Sequence, residues 1–475
     1  MLFCRNRTFI KGTLILTLTG LLSRVIGFFY RIYLSRLFGE EGMGIYQLLS
    51  PVLALSFSLC AAGIQTAISK YVAASVAKGN RKDSYRYLFT GLFLSLLLSV
   101  PCMLLLLMFS DFVAVHFLLE ARTASMLRII ALSIPAGAVH SCINGYYYGI
   151  KKTMLPSSTQ LIEQFMRFFC VLAADFLARR SHTVPHINAA VAGLVVGECA
   201  AMLISLLAIY FRFYREEAGA GKSSLPCPNA GGGRYTLPCP NAGARRHTMP
   251  MSNAGGFGIS RFHAVKDLLV LAFPLTVSRI VVNLLQSVEA VAIPSRLCRY
   301  GYDSVTALSV YGVLTGMALP LLFFPNALTG SMSLLLLPMV SEADARGNTD
   351  AVKNTTLKTI YSCLLLGAAC TLFFFLSGPF LGRFLFHSEL AGRYIRSLSL
   401  LCPFLYLCTT LSGILHGLGK AVSVFFVNVF SLSLRLLFVF FLIPAFGIDC
   451  YILSMVLSQL LSAFFYLFLL YRKWN

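Results

Sequence analysis

Charge is scarce in this chain. Only 12% of its 475 residues are Asp, Glu, Lys or Arg, where a soluble globular domain carries about 25%. Carboxylates are scarcer still, 18 against 39 Lys and Arg. There is one Trp among 475 residues, and the fourteen Cys form no CxxC pair and no metal-like spacing, which speaks against a disulfide framework or a zinc module. The chain has no P-loop, nucleophile elbow, HExxH or dinucleotide fingerprint. With no acid–base set evident either, an enzyme is not expected, and neither is a metal or an organic cofactor.

Apolar runs, in contrast, are abundant. Hydrophobic residues make up 57% of the chain and mean hydropathy is +0.77. Windows of about 20 apolar residues, the length that crosses a bilayer, give twelve candidate helices: 12–37, 44–69, 88–109, 125–148, 157–178, 188–211, 266–293, 305–336, 358–381, 394–416, 422–443 and 447–471. The expected fold class is all-α, a polytopic membrane protein of about 12 transmembrane helices. The first apolar run passes Arg24 without a small-residue cleavage site, so it reads as a span and not as a removed signal.

A net charge of +21 suggests nucleic acid until its distribution is read. One alternate set of loops, with both termini, holds 24 Lys and Arg; the opposite set holds eight. That bias is the positive-inside pattern and puts both termini in the cytoplasm. The basic excess is topological, so no nucleic-acid partner is expected.

The remaining seven arginines lie inside or at the mouth of spans. An arginine at mid-bilayer costs roughly 2.5–3.5 kcal/mol on insertion scales and normally faces a bundle interior or a water-filled path. Arg24 and Arg31 are seven residues apart, close to two helical turns, so they share a face. Neither has a carboxylate one turn away, nor does Arg279, which heads a polar stripe with Asn283 and Gln286. Gln65 belongs to a softer stripe on the second helix. These six residues are the candidate substrate-binding set, because an unpaired guanidinium in a cavity suits an anionic ligand such as a phosphate. A second group, Glu163, Arg167, Glu198, Glu289 and Arg435, reads as an intramembrane charge network. Glu163 and Arg167, at i and i+4, can pair along one helix.

The chain also repeats itself. Adding 268 carries Gly79-Asn80 onto Gly347-Asn348, Arg128 onto Arg396, Pro135 onto Pro403, Gly145 onto Gly413, Gly149 onto Gly417 and Arg167 onto Arg435. Two halves of six helices each, an even number, have the same orientation, as in transporters that rock about a central site. The domains read as 1–211 and 263–475, two pseudo-symmetric lobes around a central cavity. Between them, 212–262 holds a near-tandem repeat, LPCPNAGGGRYT then LPCPNAGARRHT, and is expected to be a disordered cytoplasmic linker.

The segments KGTLILTLTGLLSRVIGFFYRIYLSRLFGEEGMGIYQLLSP, GIQTAISKYVAASVAKGN, IEQFMR and YGVLTGMALPLLFFPNALTGSMS together resemble the family of polysaccharide exporters that includes stage V sporulation protein B. The SRVIGF run at 23–28 is also similar to the lipid II flippases of the same superfamily, which also includes the multidrug and toxic-compound exporters. The resemblance implies two six-helix lobes and a substrate of the undecaprenyl-pyrophosphate-sugar type, flipped across the bacterial cytoplasmic membrane for spore cortex peptidoglycan or polysaccharide synthesis. It also implies membrane lipids and cell-wall synthesis enzymes as partners, and H+ or Na+ as a candidate coupling ion. Arg24 matches an arginine of the flippase cavity motif. Tyr30 and Ile45-Tyr46 stand where those flippases carry further charge. The alternative in the same superfamily is a cation-coupled multidrug exporter, which would want an acidic cavity.

Overall fold

A computed structural model describes residues 2–182, 186–222, 261–347 and 349–474. In this all-helical structure the principal elements of the first half are α1 (Leu2–Phe57), α2 (Gly63–Ala77), α3 (Arg81–Met108), α4 (Thr123–Ala131), α5 (Ser133–Gly149), α6 (Met154–Arg180) and α7 (Asn188–Lys222). In the second half they are α8 (Arg261–Tyr300), α9 (Ser304–Gly312), α10 (Leu319–Phe323), α11 (Asn326–Ala345), α12 (Thr349–Phe386), α13 (Glu389–Leu398), α14 (Cys402–Gly417), α15 (Ala421–Leu437), α16 (Ile443–Phe446) and α17 (Ile448–Trp474).

Among the described residues nine helices are long and apolar enough to cross a membrane, and α4 with α5, bent by 41°, makes a tenth. Two further passes escape a count by length and hydropathy. The stretch Leu18–Ala77 is one of the nine, but Gly39 interrupts it with φ 71° and ψ −169°, a backbone region that only glycine occupies at low cost. Residues 24–31 before that glycine and 46–50 after it line one cavity, so the chain doubles back. Helix α6 spans 27 residues, but Gln160, Glu163, Gln164 and Arg167 dilute its hydropathy. The arrangement is consistent with the twelve expected passes.

The 268-residue register survives in three dimensions. A side-chain carbon at Gly145 would fall 2.5 Å from the Gln65 carbonyl oxygen, and one at Gly413 would fall 1.9 Å from Ser333 Oγ. Gly149 meets the Ser69 carbonyl and Gly417 meets the Leu337 carbonyl in the same way. Each contact maps onto its partner by the same shift, so α2 crosses α5 as α11 crosses α14. The lobes themselves meet at Gly44 and Gly312, again 268 apart. A Cβ on Gly312 would lie 2.3 Å from the Gly44 nitrogen, and one on Gly44 would lie 2.1 Å from the Leu308 carbonyl. Two backbones can approach this closely only where side chains are absent. This seam closes the bundle at the Gly39 end.

Gly-Asn at 79–80 has two tasks. Gly79, with φ +76°, ends α2 in a left-handed conformation. The Asn80 side chain then caps α3 by accepting from the Asp83 amide at 3.3 Å. The expected linker differs from the structure at its start, because α7 continues to Lys222. The repeats themselves, within 223–260, lie outside the described residues.

Candidate functional site

Between the lobes, on the N-terminal side of the glycine seam, lies a cavity of about 690 Å³. Its first wall is α1. Before the turn at Gly39 it contributes Ser23, Arg24, Gly27, Phe28, Tyr30 and Arg31, and after the turn Tyr46, Gln47 and Ser50. Spacings of three, four and seven keep these on common faces. The second wall is α6, with Gln160, Gln164 and Arg167 at steps of four and three. The other lobe closes the space with Thr315, Leu319, Pro320, Phe323, Phe324 and Asn326. The lining therefore offers three guanidinium groups, four primary amides, three hydroxyls of Ser and Thr, two phenols and three phenyl rings.

Arg24 and Arg31 both reach this space. Among the described residues neither forms an ion pair with a carboxylate. The Arg24 guanidinium extends to the opposite lobe, where a Cβ on Gly330 would stand 3.8 Å from Nη2. Arg167 is shared with the charge network, since its Nη2 donates to Glu163 Oε1 at 2.5 Å while its Nε is buried without a partner. Among the described residues no carboxylate lines the cavity.

The other expected binding residues are elsewhere. Arg279 and Gln286 on α8 are exposed and absent from the cavity lining. Asn283 ties helices together, donating to the Ala54 carbonyl at 3.2 Å and to Ser58 Oγ at 2.5 Å. Gln65 is half-buried, with its backbone against Gly145. Of the polar stripe of α8, Asn283 thus packs on the end of α1, and none of the three is in the lining of this cavity.

The charge network divides in two. In the first lobe Glu163 and Arg167 pair along α6, and the His140 Nδ1 on α5 stands 3.6 Å from Glu198 Oε2 on α7. The ligand atoms of His140, Glu163 and Glu198 lie within 4.8 Å of one another, and Glu163 also carries the Arg167 guanidinium. In the second lobe Arg435 Nη2 pairs with Glu289 Oε1 at 2.6 Å. Tyr451 joins them, accepting from Arg435 and donating to Glu289, each at 3.0 Å. This pair joins α8 to α15 across 146 residues of sequence.

The comparisons with known proteins agree with this frame. The sequence matches the polysaccharide biosynthesis protein family over residues 9–344 and the MatE family over 279–441. The chain belongs to the polysaccharide biosynthesis protein family. It is 28% identical to stage V sporulation protein B of Bacillus subtilis (strain 168), over 96% of this chain and 82% of that one. Its fold is similar to a multidrug resistance MATE family transporter of the MOP superfamily in an inward-facing conformation, with a TM-score of 0.67, 14% identity, and coverage of 97% and 98% of the two chains. It is also similar to the lipid II flippase MurJ in an inward closed conformation, with a TM-score of 0.65, 15% identity, and coverage of 96% and 87%. This family member is a multi-pass membrane protein with two pseudo-symmetric lobes around a central cavity, and it shares its fold with those transporters.

Several cavity residues do not stand out as binding groups in the sequence. Gln160 and Gln164 carry a signal that could have found them, since with Arg167 they repeat at four and three on one face. The contribution of Thr315 and Asn326 has no such signal, because it depends on how the two lobes meet.

Proposed function

We propose that this transporter flips a polyprenyl-diphosphate-linked saccharide of the undecaprenyl type from the cytoplasmic to the outer leaflet, with the diphosphate held by Arg24, Arg31 and Arg167. The observation that carries the reading is the cavity's charge: among the described residues, three guanidinium groups and no carboxylate in its lining. Guanidinium forks match phosphate oxygens two at a time, and a low-dielectric wall strengthens that attraction. The amides of Gln47, Gln160, Gln164 and Asn326 and the hydroxyls of Ser23, Ser50 and Thr315 suit a sugar's many donors and acceptors. The loop charge asymmetry, 24 against eight, supports cytoplasmic termini and so a cavity reached from the cytoplasm. A fold shared with transporters of the MOP superfamily supports movement by alternating access.

Export of cationic drugs, the other activity known in this superfamily, is opposed by the same cavity. A cation entering it would meet three positive groups and no negative one.

The experiment is rescue of bacterial cells depleted of their lipid II flippase. Growth on expression of this chain, lost in Arg24→Ala and Arg31→Ala variants that insert at normal levels, supports the proposal. Growth that survives both substitutions contradicts the role given to these arginines.

A further inference from the structure

Behind Arg167, away from the main cavity, a second space of about 340 Å³ lies inside the first lobe, lined by Leu53, Ala54, Phe57, Cys60, Ala61, Ser133, Ile134, Gly137, Ala138 and Leu194 together with Arg167 and Glu198. Arg167 is the residue common to both spaces. It therefore has two anionic claimants, Glu163 on its own helix and the passenger's diphosphate in the cavity.

A passenger that wins this competition upsets the charge balance behind the cavity. Without a passenger, Glu163 is neutralised by Arg167 at 2.5 Å. Among the described residues Glu198 has the His140 ring at 3.6 Å, with the Arg167 guanidinium near enough to act on it. The other ionisable groups near the cluster are Arg31, Tyr30 and Tyr46 of α1, which act on Arg167, and Cys199, next to Glu198 on α7. Arg31 also lines the cavity and would be drawn to the same diphosphate. Two carboxylates within 4.8 Å of each other and of an imidazole would then have lost their nearest guanidinium inside a membrane, where an uncompensated charge is expensive. A proton restores the balance.

We propose that His140, Glu163 and Glu198 form a proton site that fills when the passenger draws Arg167 away from Glu163 and empties when Arg167 returns. The surroundings of His140 suit a ring that gains a proton. Asn144 Nδ2 is 2.8 Å from His140 Nε2 and Thr159 Oγ1 is 3.2 Å from it. The other end of that amide, Asn144 Oδ1, is buried without a partner. Turning the amide end for end presents this oxygen to an Nε2–H, while an Nδ1–H faces Glu198. The imidazolium then has an acceptor on each nitrogen, and the orphaned oxygen gains a donor. The proton comes from the bulk buffer, whose acid form loses it as the site's N–H or O–H bond forms, and it returns to the buffer base when the site empties.

The inference rests on the diphosphate reading of the cavity, and the test separates the two. Purified full-length protein is titrated calorimetrically with farnesyl diphosphate at pH 7, in buffers of different ionisation enthalpy, which counts protons taken up per ligand bound. The wild type should take up on the order of one proton more than Glu198→Gln, because the site's contribution is absent from the variant and the ligand's own protons cancel. His140→Asn should match Glu198→Gln, so the result stands if either variant folds poorly. Equal proton counts in wild type and both variants, with binding intact, overturn the proton site and leave the cavity reading standing. A proton difference replaced by dependence on Na+ over choline overturns it as well. No binding by the wild type overturns both.

Discussion

Arg167 and Arg435 occupy the same position in the two halves of one repeat, yet their surroundings differ. Arg167 borders the main cavity and keeps one carboxylate partner on its own helix. Arg435 is enclosed between Glu289 and Tyr451, which come from two other helices. The backbone frame around them is shared: the α2–α5 and α11–α14 crossings use the same glycines under one shift. A repeated frame thus carries unlike chemistry. In the first half the arginine faces a space where a ligand can compete for it, and in the second half it joins helices.

The largest effect that could break this contrast is on stability. Removing one partner of a buried ion pair leaves the other charge stranded, at a cost of about 3–5 kcal/mol. Arg435→Ala and Glu289→Ala should each lower the thermal unfolding midpoint in detergent by that equivalent. Arg167→Ala should cost about 1.5–3 kcal/mol, the range for a hydrogen bond to a charged group, because its site borders two cavities. Equal losses for Arg167→Ala and Arg435→Ala would erase the distinction.

The glycine seam tests the shared frame. Gly44→Ala and Gly312→Ala each drive a methyl into backbone, at 2.1 Å and 2.3 Å, and overpacking of this kind costs about 1–3 kcal/mol. Two matched losses in unfolding midpoint are expected. One silent substitution would mean that the lobes do not meet through both glycines.

The smallest effect concerns the loops at the Gly39 end. Arg122 bridges Glu120 at 2.7 Å and Glu41 at 2.6 Å, whereas Arg383 and Glu389 in the second half pair at 3.1 Å with both side chains more than two-thirds exposed. Arg122→Ala should cost about 0.2–1 kcal/mol at neutral pH and Arg383→Ala nothing measurable. Hydrogen bonds from the Arg122 side chain hold the Glu120 carboxyl below its ordinary range, against the opposing pull of burial. A carboxyl whose pKa falls on folding stabilises the fold above its unfolded value and loses that contribution as pH falls through the folded value. The midpoint difference between Arg122→Ala and wild type should therefore shrink as pH drops below about 4.3. A constant difference across that range would contradict the bridge.

Much of this was legible in the sequence because it is local. Arg24 and Arg31 share a face by helical arithmetic alone, and the repeat appears as a numerical shift at Gly, Pro and Arg. Glu289 as the partner of Arg435 was not legible, because Ser431 occupies the i−4 position that Glu163 fills in the first half. The carboxylate comes instead from a helix 146 residues away. The place of Arg279 was not legible for a related reason. It matches Arg24 in the Ser-Arg pairs at 23–24 and 278–279 under a different shift, 255, so the 268-residue register does not place it. The repeat mate is exposed and outside the lining of the cavity. Tyr30 and Tyr46 could be read as uncharged replacements, but their joint presence in the lining required the fold-back itself.

That difference between Arg24 and Arg279 supplies the most direct test of the account, which is that unpaired guanidinium groups in the inter-lobe cavity hold a diphosphate. The measurement is the affinity of purified protein for an undecaprenyl-diphosphate-linked sugar. Loss of a bidentate charge-assisted contact worth about 1.5–3 kcal/mol predicts roughly 10- to 150-fold weaker binding for Arg24→Ala and for Arg31→Ala, and unchanged binding for Arg279→Ala. Equal weakening by all three, or none by the first two, would contradict it.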